Sequence, residues 1–185
     1  SPFVAMLSNG ASGDINNINF RVPAERDAPY AQMNRVAEKL ANEVMRIYRT
    51  IEFRDWAALG AASETTTLGV RLPDEKDIAR AQEIVGSAER NDWADRSEIY
   101  ARETLLLADY PATVEAPLQA VRLGNLAISA IPCEVFVEIG LELKRSSPFE
   151  NTFVISLANG YYGYLPTREQ DALGGYETWR ARSSF

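Results

Sequence analysis

The chain has 185 residues, of which 46% are hydrophobic and 10% are aromatic, a composition typical of a folded globular protein and not of a disordered segment. Its 19 basic and 26 acidic residues give a net charge of -7, which argues against a nucleic-acid partner. The sequence contains no histidine, so a Ser-His-Asp triad, a Cys-His pair or a histidine metal ligand cannot be built from this chain alone.

The first predicted elements are a short strand, a polar loop and a long helix. Residues 3–7 form an apolar run typical of a strand, and residues 8–17 carry two glycines, three asparagines and an aspartate. Apolar residues then recur at helical spacing from residue 33 to about residue 52, which predicts an amphipathic helix. Because the strand begins almost at Ser1, we expect residues 1–185 to be one segment of a longer polypeptide.

The middle of the chain predicts a strand and two helices. Residues 63–72 are rich in Thr and Val and end at Pro73, as in a strand near a sheet edge. A helix opens after this proline with acidic residues in its first turn, and another runs from about residue 92 to residue 109. We expect the charged residues of both helices to form a solvated face. No apolar run approaches the length of a transmembrane segment.

The last third of the chain predicts an alternation of strands and helices. Residues 114–123 alternate like a half-buried strand, Asn125 can turn the chain, and residues 126–131 form a short buried strand. A helix from about residue 133 to residue 146 precedes the apolar run at residues 153–157. Strand-helix-strand order usually places the two strands parallel in one sheet. We therefore predict a single α/β segment with a mixed sheet and flanking helices.

Three polar segments follow predicted strands, and ligands of open α/β sheets gather beyond the carboxyl ends of strands. These segments are residues 8–17, residues 132–134 and residues 159–167. Each one alone has a structural explanation in turns, helix caps or aromatic packing. Because all three follow strands of the same predicted sheet, we expect a functional site where they meet.

The motifs in these segments resemble the later part of the catalytic domain of neutral/alkaline, non-lysosomal ceramidases. The resemblance is carried by Gly13-Asp14-Ile15, Pro132-Cys133-Glu134-Val135-Phe136, Asn159 with Tyr161 and Tyr164, Pro166-Thr167-Arg168-Glu169, and Tyr176-Glu177. It covers residues 1–20 and 126–178. The resemblance implies that the chain is the C-terminal part of a larger α/β catalytic domain, that the N-terminal part is its partner, and that the protein is periplasmic or extracellular.

The resemblance also implies a zinc site. In the ceramidase family, two histidines from the earlier part of the domain and a glutamate and a tyrosine from the later part hold the ion. The glutamate falls on Glu134, with Cys133 in place of the family's glycine, and the tyrosine falls on Tyr164. A second tyrosine, which helps to stabilise the oxyanion, falls on Tyr176. Carboxylate and phenol oxygens are acceptable zinc ligands, and an open coordination position can polarise an amide carbonyl.

The chain departs from the family at the nucleophile. Asn16 stands where the family has its serine, and an amide side chain is not a useful nucleophile. Ser8 or Ser12 could replace it only in a differently shaped loop. The resemblance implies hydrolysis of an N-acyl lipid or a related amide. Because the serine is absent, we expect metal-activated water to attack the amide, with Asp14 or Glu134 orienting or deprotonating the water and Asn16 donating a hydrogen bond to substrate. The alternative is an inactive relative that binds a ligand or has a structural role.

Cys133 has two interpretations. It adjoins the predicted ligand Glu134 and could bind metal itself, or it could be a small buried side chain. A single cysteine at a strand-to-helix junction, with no histidine in the sequence, favours packing.

Overall fold

The computed structural model of the chain describes residues 4, 6–23, 28–87 and 95–185. The chain divides into two compact units. The first consists of Ser1–Ile15 and Ala58–Phe185, and the second of Asn16–Ala57. Every residue that the sequence assigned to the candidate site lies in the first unit except Asn16, which lies in the second. No helix of the described residues combines the length and the apolar character needed to cross a membrane.

The second unit contains helix α1, Ala31–Tyr48. This helix confirms the amphipathic helix predicted from the spacing of apolar residues, although it ends about four residues earlier than predicted. The apolar positions on its stripe are Met33, Val36, Leu40, Val44 and Ile47, which remain between 44% and 57% exposed. The described helix has no buried residue.

The first unit is organised around a mixed β-sheet. The described strands are β1 (Leu59–Gly69), β2 (Thr113–Leu123), β3 (Leu126–Ile131), β4 (Glu134–Val135), β5 (Asn151–Ser156) and β6 (Tyr164–Leu165). The larger sheet has the order β1-β2-β3-β5, with antiparallel pairs except for the parallel pair β3–β5. β4 and β6 form a separate parallel pair. The parallel β3–β5 pair and the edge position of β1 confirm the predictions from sequence.

Helices flank the sheet of the first unit, so the predicted fold class is confirmed. The described helices are α2 (Glu75–Ser87), α3 (Arg96–Leu107), α4 (Val137–Ser146) and α5 (Arg168–Leu173), followed by a 3₁₀ turn at Tyr176–Thr178. α2 packs against α3, and α4 packs against β5. Asp95 caps α3 by accepting a hydrogen bond from the backbone N–H of Ser97. The predicted start of this helix near residue 92 lies outside the described residues.

Helix α4 begins four residues later than the sequence suggested, so the prediction that it starts at about residue 133 is wrong. The backbone N–H of Glu134 donates to the carbonyl of Gly163 at 2.8 Å, and that of Phe136 donates to Leu165 at 3.1 Å. These bonds align Glu134 and Val135 with Tyr164 and Leu165 as a pair of strands, and helical backbone begins only at Val137. Glu134 therefore lies on a strand and not at a helix N-terminus.

The predicted opening strand is wrong for the residues that the structure describes. Val4, Met6 and Leu7 lie outside any strand and are 75%, 93% and 83% exposed, while residues 3 and 5 are outside the described residues. Strand propensity produces a strand only where a neighbouring strand pairs with it. This region contacts β5 further along the chain, at Asn9, whose carbonyl accepts a hydrogen bond from Ser156 N–H at 3.0 Å.

The core that supports the site lies between α4 and the β3–β5 pair. Its buried centre consists of Cys133, Val135 and Val154. Side chains packed against this centre are Ala11, Ile131, Ile139, Leu143, Tyr162 and Leu165. The three polar segments identified from sequence therefore contribute to one cluster, because Ala11, Cys133 and Tyr162 each belong to a different segment.

The C-terminal segment, residues 176–185, is bound to α2 and α3 by arginine side chains. Arg180 pairs with Asp77 of α2 at 2.6 Å, and Arg182 pairs with Glu103 of α3 at 2.8 Å. The Glu103 side chain is only 14% exposed. The prediction that the charged residues of both helices form a solvated face is therefore wrong at Glu103, where the acid serves as an anchor.

Candidate functional site

The three polar segments meet through backbone hydrogen bonds. Gly13 N–H donates to the carbonyl of Val135 at 2.8 Å, and Tyr162 N–H donates to that of Pro132 at 2.8 Å. Gly13 lies so close to β4 that a Cβ atom on it would stand 2.5 Å from the carbonyl oxygen of Glu134. The sequence therefore places a glycine where only a hydrogen atom fits, and that contact brings the first segment to the second.

Glu134 and Tyr164 stand opposite one another on paired strands. They are register partners in the parallel pair β4–β6. Side chains of residues directly paired in a sheet project to the same face, and the Tyr164 hydroxyl interacts with the Glu134 carboxylate. Two residues that are 30 positions apart in sequence thus lie side by side, because a short pair of strands aligns them.

Tyr176 completes the group from the C-terminal segment. Its ring meets that of Tyr164 edge to face, with centroids 5.9 Å apart and an interplanar angle of 89°. The two hydroxyls interact as well. Tyr100 of α3 donates a hydrogen bond to the carbonyl of Tyr176 at 3.4 Å and packs edge to face on Trp179. The structure thus brings together Glu134, Tyr164 and Tyr176, three of the residues assigned from sequence.

The surroundings of Tyr164 favour the protonated phenol. Burial raises the pKa of Tyr164 most strongly, followed by its hydrogen bond to Tyr176 and the negative charge of Glu134. A phenolate beside a carboxylate would place two negative charges next to one another. A cation bound between the two oxygens would remove that repulsion, so the arrangement suits a neutral phenol or a metal-bound one.

Tyr161 belongs to the same group and was not assigned a role from the sequence. Its hydroxyl donates to Oε1 of Glu134 at 3.0 Å. Burial raises the pKa of Tyr161, and the hydrogen bond to Glu134 acts in the same direction. The adjacent Tyr162 points elsewhere and donates to the carbonyl of Glu115 at 2.7 Å. The clustering of tyrosines was a visible signal, but sequence spacing could not show which hydroxyl reaches Glu134.

The other residues predicted for catalysis have different surroundings. Oδ1 of Asp14 accepts a hydrogen bond from the backbone N–H of Val137 at 2.8 Å, so this oxygen caps the first turn of α4. Asn16 lies in the second unit, where its Oδ1 accepts from the N–H of Asn17 at 2.7 Å. The hydroxyl of Ser12 donates within its own loop, 3.2 Å from the carbonyl of Gly10. The catalytic roles of Asp14 and Asn16 stay predictions.

Cys133 is a buried side chain, in agreement with the packing interpretation. It is 6% exposed and lies in the core cluster with Val135 and Val154. Burial raises the pKa of its thiol to about 11. A thiol with so high a pKa is protonated at neutral pH and is therefore a poor nucleophile.

A cavity of about 390 Å³ opens beside Tyr161. It lies between α3 and the C-terminal segment, and its walls include Tyr100, Tyr161 and the ion pair of Glu103 with Arg182. Aromatic faces and a paired charge in one cavity can receive a group that is partly apolar and partly polar. The cavity shares the Tyr161 side chain with the Glu134 group.

The donor atoms of the group fit part of a zinc site. Among the described residues, no cluster of three or more Asp, Glu, Cys or His side chains could hold a metal ion. Glu134 and Tyr164 nevertheless present a carboxylate and a phenol that interact with one another, and both are oxygen ligands that zinc accepts. Because structural and catalytic zinc sites use three or four protein ligands, a zinc ion bound by these two residues would need further ligands.

Comparison with known proteins identifies partial similarity to solved structures. No protein-family model matches the chain, and no curated protein sequence matches it. Among solved structures, the chain is similar to neutral ceramidase from Pseudomonas aeruginosa, with a TM-score of 0.36 and 18% sequence identity. The alignment covers 66% of this chain and 26% of the ceramidase chain. A similarity this low assigns neither a family nor an activity.

Proposed function

We propose that this chain contributes the carboxylate and tyrosine ligands of a zinc site in a ceramidase-like amide hydrolase. The observation that carries the proposal is the direct pairing of Glu134 with Tyr164 across β4 and β6, which places both side chains on one face of the strand pair. The motif resemblance independently predicts both residues as zinc ligands. Tyr176, assigned to the oxyanion, stands beside them.

In this proposal the residues of the group have different roles. When bound, zinc supplies a Lewis acid that polarises an amide carbonyl and activates water. Glu134 and Tyr164 would hold it, together with two histidines expected from outside this chain. Tyr176 lies edge to face with Tyr164, and its hydroxyl can donate a hydrogen bond to the substrate's carbonyl oxygen as negative charge develops there.

The substrate in this proposal is an N-acyl lipid or a related amide. The cavity beside Tyr161 provides room next to the reacting centre for one part of such a molecule. Asp14 and Asn16 keep their proposed roles, Asp14 in orienting water and Asn16 in donating a hydrogen bond to substrate. Because Asn16 replaces the family's serine, the proposed route has no acyl-enzyme at this position.

Metal content and amide hydrolysis test the proposal together. We expect about one zinc ion per full-length protein, the stoichiometry of a mononuclear site, and its loss in Glu134→Gln. The matched control is Glu115→Gln, because Glu115 lies on β2 and its carboxylate accepts from Thr67. The same proteins would be incubated with N-acyl amides of short and long acyl chains, and release of the carboxylic acid would be measured.

The outcomes separate the two functions that the sequence left open. Zinc in the wild type and in Glu115→Gln, with release of acid that is lost with Glu134→Gln, would support the hydrolase. Zinc without release of acid from any amide would favour an inactive relative that binds a ligand. A wild-type protein without zinc would contradict the proposal.

A further inference from the structure

We propose that Tyr161 is a positioning residue that sets the orientation of the Glu134 carboxylate for metal binding. The inference rests on the proposed function, because it concerns the same carboxylate. Tyr161 donates to Oε1 of Glu134 at 3.0 Å. With one carboxylate oxygen bound in this way, the carboxyl plane is fixed and the second oxygen is the one directed at a ligand.

Tyr161 also stands beside the C-terminal segment. A phenol has a single proton, and Tyr161 donates it to the Glu134 carboxylate. The Tyr161 side chain lines the same cavity as Ala181, Arg182 and Ser183. Tyr161 therefore lies between the C-terminal segment, which also carries Tyr176, and the predicted ligand on β4.

The backbone on either side of Tyr161 is tied to the strand that bears Glu134. Tyr162 N–H donates to the carbonyl of Pro132 at 2.8 Å, and Glu134 N–H donates to that of Gly163 at 2.8 Å. At Gly160, a Cβ atom would stand 2.7 Å from the ring of Tyr162. The phenol is thus held in place by the same backbone pairing that places its acceptor, which is the kind of support that a ligand needs from its surroundings.

The neighbouring tyrosine provides a matched control. Tyr162 also donates one hydrogen bond, at 2.7 Å, but its acceptor is the backbone carbonyl of Glu115 on β2. Tyr161→Phe and Tyr162→Phe therefore remove the same atom from adjacent residues. A general loss of packing or stability would affect zinc binding in both variants, whereas the proposed role affects it in Tyr161→Phe alone.

Zinc affinity of the full-length protein is the direct test. Competition with a chromophoric chelator should show zinc binding about 10- to 100-fold weaker in Tyr161→Phe, the range typical when a hydrogen bond to a metal ligand is removed. The protein loaded with Co²⁺ should also change its visible spectrum in Tyr161→Phe, because the carboxylate then coordinates at a different angle. Tyr162→Phe should keep the wild-type affinity and spectrum. Thermal unfolding of the metal-free variants checks that both are folded.

The possible results distinguish failure of the Tyr161 role from failure of the zinc site itself. Wild-type zinc affinity and cobalt spectrum in Tyr161→Phe would overturn the role of Tyr161 and leave the zinc site of the proposed function intact. Equal losses in Tyr161→Phe and Tyr162→Phe would overturn it too, because they would show a structural effect without specificity. Failure of the wild-type protein to bind either metal would overturn both proposals.

Discussion

Around Glu134, glycines occupy the positions where two backbone segments come into close contact. Gly13 fits against the carbonyl of Glu134, and Gly163, with φ of 84°, fits against the backbone of Ser183 and Ser184. The second glycine adopts a left-handed conformation that a residue with a Cβ atom rarely accepts. Both contacts involve backbone atoms, which cannot move aside as a flexible side chain can. These positions hold glycine for spatial reasons, and they join three segments around one carboxylate.

We predict that Gly13→Ala destabilises the protein and disturbs the position of Glu134. A Cβ atom at Gly13 would stand 2.5 Å from the Glu134 carbonyl, whereas one at Gly10 would stand 3.9 Å from the Val154 carbonyl, an ordinary contact. Overpacking of this kind typically costs about 1–3 kcal/mol, so urea unfolding should show a loss in this range. Gly10→Ala, in the same loop, should change the unfolding free energy by less than about 0.5 kcal/mol. Equal effects in the two variants would contradict the steric explanation.

Residues distant in sequence secure the ends of helices and segments. The first turn of α4 has no side-chain cap from Phe136, its own N-cap residue, and Asp14 supplies the acceptor for Val137 N–H. A carboxylate at this end also interacts favourably with the helix dipole. In the C-terminal segment, Arg71 donates to the carbonyls of Thr178 and Ser184, each at 2.9 Å. The C-terminal segment therefore keeps its place through contacts with other elements.

The ion pair of Glu103 with Arg182 should stabilise the folded protein at neutral pH and lose this effect at acidic pH. The hydrogen bond from Arg182 holds the pKa of Glu103 below its usual value. A carboxylate whose pKa is lower in the folded state stabilises the fold above its unfolded pKa, and this stabilisation is lost as pH falls through the folded pKa. We therefore expect Glu103→Gln to be less stable than wild type at neutral pH, with the difference shrinking below about pH 4.

A double-mutant cycle would assign this effect to the pair. Urea unfolding at several pH values would be measured for Glu103→Gln, Arg182→Gln and the double variant. Because Arg182 also contacts Glu103 through its backbone N–H, at 3.3 Å, part of the interaction remains when the guanidinium is removed. Additive losses that do not change with pH would contradict a coupled ion pair.

Each predicted site residue belongs to one of the two compact units. The first unit carries Glu134, Tyr161, Tyr164 and Tyr176, while Asn16 begins the second unit, which also contains α1. The described residues contain no cluster of three or more Asp, Glu, Cys or His side chains that could hold a metal ion. The proposed zinc ion, if held by Glu134 and Tyr164, would need further ligands, and its binding would link β4 and β6 to the residues that supply them.

We predict that zinc stabilises the full-length protein against thermal unfolding. A ligand that binds only the folded state stabilises it by about 2.7 kcal/mol when its free concentration is 100 times its dissociation constant. Adding zinc to chelator-treated wild type should thus raise the unfolding temperature, and Glu134→Gln should lose most of this increase. Glu115→Gln should retain it. A rise of the same size in Glu134→Gln would show that zinc binds elsewhere.

Local patterns were enough to predict most of the regular elements. Helical spacing predicts α1, alternation predicts β2, and runs of apolar or β-branched residues predict β1, β3 and β5. The parallel β3–β5 pair followed from the helix between the two runs, because a crossover connection joins parallel strands. The opening strand failed because an apolar run becomes a strand only when a partner pairs with it. The strand predictions therefore held where another strand pairs with the apolar run and failed where none does.

The composition of the candidate site was visible in the sequence, whereas its geometry depended on contacts between distant residues. Motif resemblance selected Glu134, Tyr164 and Tyr176, but nothing local predicted β4 and β6, since strands of two residues show no periodicity. The choice of Tyr161 over Tyr162 as the donor to Glu134 also arose in the folded chain, where one hydroxyl faces β4 and the other faces β2. Periodicity reports which residues share the face of an element, and long-range backbone pairing determines which side chains meet.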